Sequence, residues 1–144
     1  MNTNAYGWQR DLPDFRDHVY RPTVVTLPPH VDLTASMPPI YDQGQLGSCT
    51  ANAISAAFDY QRHRQGESFL TPSRLFIYYN ERAIEHTTRV DAGAAIRDGI
   101  KSVNQTGVCP ETDWPYDITK FARKPSSRCY ADAIRTHTVS YQAV

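Results

Sequence analysis

The sequence predicts an α+β fold that is mainly helical, with a strand beginning only at its C-terminal end. Three observations carry that reading. Three stretches within residues 48–107 place apolar residues at helical spacing. The closing stretch "RTHTVSYQAV" (135–144) alternates and is β-branched, as the start of a strand does. Six of the ten prolines crowd into residues 1–40, where regular structure is therefore not expected. At 144 residues the chain fits one domain or part of a larger one.

The elements follow in order. Pro13, Pro22, Pro28, Pro29, Pro38 and Pro39 fix φ and remove donors, so the first residues form an extended arm. Its aromatics Tyr6, Trp8, Phe15 and Tyr20 predict that it docks on the body of the protein. A first helix should start at Ser48 or Cys49 and run to about His63, with Ala53, Ile54, Ala57 and Phe58 as its apolar stripe and Gly66 beyond its end. A second follows from "TPSRLFIYYNER", with Thr71 as N-cap and Pro72 in the first turn, where its missing N–H costs nothing. A third follows from "DAGAAIRDGIKSVNQTG", with Asp91 as cap, Ile96, Ile100 and Val103 on one face, and Gly107 closing it. Gly99 inside that helix costs about 1 kcal/mol relative to Ala, which room for close packing would offset. "VCPETDWPYD" then reads as a loop.

Composition excludes several function classes. Fifteen basic residues balance fifteen acidic ones, so nothing points to nucleic acid or an anionic membrane as partner. No apolar run approaches the roughly 20 residues of a membrane helix, and the first ten residues lack the apolar stretch of a signal peptide. Three cysteines (Cys49, Cys109, Cys129), none close to another in sequence, leave at least one thiol unpaired within the chain. There is no CxxC, and His18, His30, His63, His86 and His137 are scattered, so neither a structural zinc nor another cofactor is expected.

The chemistry concentrates in "QGQLGSC", residues 43–49. A Cys at the first turn of a helix meets unpaired backbone N–H groups and the positive end of the helix dipole, and both favour the nucleophilic thiolate. Gly47 and Ser48 let the backbone approach a substrate. The Gln43 side-chain NH₂ can turn back toward the Cys49 N–H, and the two together can hold an oxyanion. On composition alone a second reading stays open, in which Cys49 is a small buried residue at a helix start.

The heptapeptide and the small-residue helix after it resemble the active-site segment of papain-like (C1 family) cysteine peptidases, including the six-residue Gln-to-Cys spacing. "Val31-Asp32-Leu33" resembles the start of that family's mature domain. "Leu70-Thr71-Pro72-Ser73" resembles its second-helix entry, and "Trp114-Pro115-Tyr116" its x-Pro-Tyr turn. "Asp91-Ala92-Gly93" resembles the loop whose backbone binds extended substrate, with Ala94 and Ala95 beside a side-chain pocket. The resemblance implies a two-lobed papain-like fold, of which this chain is mainly the helical, nucleophile-bearing lobe (31–144) after an arm or short propeptide (1–30). It implies Cys49 as nucleophile, Gln43 in the oxyanion hole, and substrate contacts from Gly47, Ser48 and residues 91–95. The substrate would be a polypeptide.

Departures sharpen the expectation. Leu46 and Val90 stand where the family has two half-cystines, which a reducing compartment permits. Thr50 replaces the usual aromatic after the nucleophile, as in shortened bacterial members, and "GWQRDLPDFRDHVY" is similar to their short leading segment. The family's general-base His and orienting Asn normally lie about 130–150 residues after the Cys, and only 95 residues follow Cys49. Both are therefore expected outside this chain, on a β-rich lobe. His63 lies about 20 Å along the same helix at 1.5 Å per residue, too far for direct contact. His137 is the one local histidine that spacing does not exclude. Two other functions fit the same lobe: a non-catalytic peptide-binding module, and a papain-like transamidase or amidase. The arm is expected either to lie across the groove as an autoinhibitory segment or to strap the back of the domain.

Overall fold

The structure, a computed structural model, describes residues 6–136 together with Ser140 and Tyr141. In chain order its regular elements are β1 (Trp8–Gln9), α1 (Cys49–Arg64), α2 (Arg74–Ile84), β2 (Ala94–Ala95), α3 (Ile96–Thr106) and α4 (Ser127–Ala133). Three-residue 3-10 turns lie at Thr34–Ser36 and Ile118–Lys120.

The centre of the protein is α2. Leu75, Phe76, Ile77 and Tyr78 are consecutive and all buried, so this helix is apolar around most of its circumference and must be enclosed. α1 and α3 pack on it and on each other. Leu46, Ala51, Ile54, Leu75, Ile77, Tyr78, Val103 and Val108 form the main core. Burying each of the larger aliphatic side chains contributes roughly 1.5–3 kcal/mol. Phe76 faces the other way, into a smaller cluster with Cys109, Cys129 and Ala133 under α4. Gly99 explains how closely the three helices meet. A Cβ there would fall 2.3 Å from Ile54 Cδ1 and 2.6 Å from Glu81 Oε2.

The helix starts correct two expected caps. Ser73, not Thr71, caps α2, accepting from the Phe76 N–H at 3.1 Å. The Asp59 carboxylate has already taken the Leu70 and Thr71 N–H groups at 2.9 Å each, which holds Thr71 outside the helix at φ +53°. Asp91 does not cap α3. That helix begins only at Ile96, after β2, with Ala95 at its cap. At its end Gly107, at φ +83°, turns the chain away, and its N–H bonds to Val103 O at 3.1 Å. α4 was not expected from the pattern: at seven residues it is too short to show a period, although Ser126 caps it by accepting from Cys129 N–H.

The arm is extended, as its prolines require, but its aromatics are not its anchors. Tyr6, Trp8, Phe15 and Tyr20 are all exposed, Phe15 at 99%. Contact is made instead by backbone and polar groups. β1 pairs in parallel with β2, Trp8 opposite Ala94 and Gln9 opposite Ala95. Further along, Asp11 accepts from the Arg97 N–H, and Asp17 pairs with the Arg97 guanidinium at 2.8 Å. Of the expected closing strand, residues 137–139 and 142–144 lie outside the described residues. Arg135 and Thr136 form a turn after α4.

Candidate active site

Cys49 is the first residue of α1, half-buried and free of any disulfide. The loop that delivers it is fixed from several sides. Asp42 Oδ1 accepts from Gly44 N–H at 2.8 Å, while Gly44 takes φ +61°, a conformation that favours glycine. Gln43 Nε2 donates to Leu46 O at 3.0 Å. An amide nitrogen carries two hydrogens, so one remains for another acceptor. Tyr116 O–H donates to Gln43 O at 3.0 Å and lies 2.6 Å from Ser48 Oγ. Arg74 secures the approach to the loop. Its guanidinium binds Glu111 at 3.0 and 2.7 Å, donates to Asp42 O at 3.0 Å, and stacks 3.8 Å from the centre of the Tyr116 ring.

The second side of the site is the 87–95 loop, and α2 sets its course. Arg82 is buried, yet its charge is spent on four carbonyls, Tyr78 O, Thr88 O, Val90 O and Phe121 O. The guanidinium also lies 3.8 Å from the centre of the Tyr78 ring. Tyr78 O–H donates to Asp91 Oδ1 and accepts from Gly93 N–H at 3.2 Å. Burial, reinforced by the Asp91 carboxylate, pushes the Tyr78 hydroxyl well above the usual phenol range. Asp91 reaches across the site, and its oxygens accept from Gly47 N–H at 3.1 and 3.0 Å.

The two sides meet around the arm. Gly7 lies between Gly47 and Gly93: a Cβ on Gly7 would fall 2.0 Å from Gly47 O and 2.7 Å from Gly93 Cα. Gly93 itself sits at φ +72° with Gly7 O against its open face. Gly7 O accepts from Ala94 N–H at 2.8 Å, and Gln9 Nε2 donates to Ala92 O at 2.8 Å. A cavity of about 440 Å³ opens farther along, between the arm and the start of α3; Cys49 is not in its wall.

The structure thus brings Gly47, Asp91, Ala92, Gly93 and Ala94 together, with the arm laid over them. Ala95 stands at the edge, its N–H given to Glu85 Oε1 at 2.8 Å. Ser48 and Asp91 turn their side chains inward, which leaves their expected substrate contacts to the backbone. Ser48 is fully buried and its hydroxyl is engaged by Tyr116 and Asn52, so its side chain faces the interior and not a substrate. The Asp91 carboxylate is turned to Gly47 and Tyr78, which makes it an internal tie. Among the histidines, His63 stacks on Phe69 at 4.7 Å near the far end of α1, and His18, His30 and His86 are exposed. His137 lies outside the described residues.

Beneath the nucleophile, Thr50 O–H donates to Glu81 Oε1 at 2.7 Å. Glu81 is fully buried, and desolvation pushes its carboxyl up to about 8. Cys109 and Cys129 are buried, and burial drives the Cys109 thiol well above the usual range. Sequence reasoning missed Gly7, Arg74, Tyr78 and Arg82. The available signal was two arginines set among the apolar residues of "RLFIYYNER", one of them four positions after a tyrosine.

No family model matches the chain. An uncharacterised peptidase C1-like protein of Acanthamoeba polyphaga mimivirus is 48% identical over 104 residues, which is 72% of this chain and 33% of that protein. The crystal structure of xylellain, a cysteine protease from Xylella fastidiosa, matches with a TM-score of 0.86 at 45% identity, over 96% of this chain and 58% of that one. The chain therefore spans only about a third to somewhat over half the length of these relatives.

Proposed function

We propose that this chain, a papain-like cysteine peptidase of the C1 type by sequence and fold, is the nucleophile-bearing lobe of an enzyme that hydrolyses peptide bonds. The observation that carries the reading is Cys49, half-buried at the start of α1, at the end of a loop in which the Gln43 amide is bonded to Leu46 O. Cys49 Sγ attacks the scissile carbonyl. The Cys49 N–H and the remaining Gln43 N–H bind the oxyanion of the tetrahedral intermediate. The C–N bond breaks, the amine leaves with a proton, and a thioester remains for water to hydrolyse. The proton donor and base is a histidine supplied from outside this lobe, oriented by an asparagine. Gly93 and its neighbours hold the substrate backbone.

In this reading the arm is an inhibitory segment. It lies where Gly47 and Gly93 face one another; its Gly7 carbonyl takes the Ala94 N–H and its Gln9 side-chain amide donates to Ala92 O. Substrate needs the same edge. Treating the full-length protein with an epoxysuccinyl inhibitor and mapping the adduct tests the assignment. Modification at Cys49 is expected; labelling elsewhere with Cys49 untouched sinks it.

A further inference from the structure

The two loops that make the site are 44 residues apart at their point of contact, and one side chain joins them. Both Asp91 oxygens face Gly47 N–H, at 3.1 and 3.0 Å. Oδ1 also takes the proton of Tyr78 O–H, whose oxygen in turn accepts from Gly93 N–H at 3.2 Å. A continuous path runs from the residue two before the nucleophile, through one carboxylate and one phenol, to the glycine that faces it across the groove. Gly47 is fixed again from the other direction, because Ser48 N–H bonds to Leu46 O at 2.8 Å and the Ser48 hydroxyl to Tyr116. Tyr78 cannot drift, being fully buried with the Arg82 guanidinium against its ring.

We propose that Asp91 and Tyr78 are positioning residues that couple the nucleophile loop to the substrate loop. The inference rests on the peptidase reading of the site but makes a separate claim about it. A carboxylate bonded to a backbone N–H is a charge-assisted tie, among the stronger hydrogen bonds a protein makes. It sets where the Gly47 peptide plane points, and so where Ser48 and the Cys49 N–H come to lie. Displacing such a group by about 1 Å is enough to cost about a hundredfold in rate.

The experiment compares Asp91→Ala, Asp91→Asn and Tyr78→Phe with the wild type in the full-length protein. Two readouts are taken: kcat and KM on a peptide substrate, and the amide resonances of Gly47 and Gly93 by NMR. Asp91→Ala should lower kcat about ten- to a hundredfold with a smaller change in KM, and move both amide resonances. Asp91→Asn, which keeps one acceptor oxygen, should recover part of the loss. Unmoved amides or unchanged kcat in Asp91→Ala overturns the proposal. The kinetic readout needs the lobe together with the part that supplies the histidine; if that assembly hydrolyses no peptide, the peptidase reading fails, and the two amide resonances still decide whether the clasp exists.

Discussion

Replacing Gly7 by valine is the sharpest way to separate the arm from the groove. A Cβ at this position would lie 2.0 Å from Gly47 O, 2.7 Å from Gly47 C and 2.7 Å from Gly93 Cα. All three are backbone atoms, so no rotamer change relieves the overlap, and the arm must lift. Lifting breaks the bond from Ala94 N–H to Gly7 O and the bond from Gln9 to Ala92 O. At about 1 kcal/mol net for each hydrogen bond, docking loses about 2 kcal/mol. At 1.4 kcal/mol per tenfold, that is about a thirtyfold shift toward the open arm. The Arg97–Asp17 pair, open to solvent, is left out of this figure. Hydrogen exchange at the Ala94 amide reads the change directly, and the alkylation rate of Cys49 by iodoacetamide reads its consequence. Both should rise in Gly7→Val. A faster Ala94 exchange with unchanged Cys49 reactivity would mean that the arm straps the domain without shielding the nucleophile. No change in either would refute the docking argument itself.

Other outcomes follow from the buried polar groups. Arg82→Met leaves four carbonyls without their donor and should destabilise the fold by about 3–5 kcal/mol, measured by urea unfolding. Glu81, with its carboxyl pushed up to about 8, keeps its proton in the fold, whereas an unfolded Glu loses it near 4.5. The folded state binds the extra proton across that window, so this contribution to stability falls as pH rises from about 4.5 to about 8. Glu81→Gln should flatten that part of the profile and be more stable than wild type above it, as denaturant titrations at pH 5 and 8.5 would show. Brief iodoacetamide treatment at pH 7 should label Cys49 and spare Cys109 and Cys129, which are buried; mass mapping of the three thiols checks this.

What the sequence revealed was local. Gly47-Ser48-Cys49 followed by small residues marks the start of α1 because a loop-to-helix change is written in adjacent residues. Gly107 marks the end of α3 for the same reason. α4 was missed because it is short; the other failures are long-range. Thr71 and Ser73 carry similar cap signals, and only Asp59, twelve residues before Thr71 in sequence, decides between them. Asp91 reads as a cap when its neighbours alone are considered, because its actual partners, Gly47 and Tyr78, come from two other segments. The aromatics of the arm promised anchoring by burial, yet the contact is made by Gly7, whose value is the side chain it lacks. A glycine in contact with two other glycines leaves no periodicity to detect.

These particulars divide the work of the core. Leu75, Phe76 and Ile77 bury α2 and fix it as the axis, but apolar packing is tolerant of small displacements and does not aim a loop. Aiming falls to the polar side chains on the same helix and on the loops it supports. Arg74 directs the 41–43 segment, Arg82 the 87–91 segment, and Tyr78 the glycine after it. Each is costly to bury unless every partner is in place, so the loops are held wherever those partners are satisfied. The same arrangement exposes the site to damage at a distance. Loss of Arg82, which touches neither Cys49 nor Gly7, should displace the 87–91 loop, weaken the Asp91–Gly47 tie and loosen the arm together. Faster exchange of the Gly47 and Ala94 amides in Arg82→Lys under native conditions would show that coupling. Exchange confined to the 87–91 segment would show instead that the two sides of the groove are fixed independently.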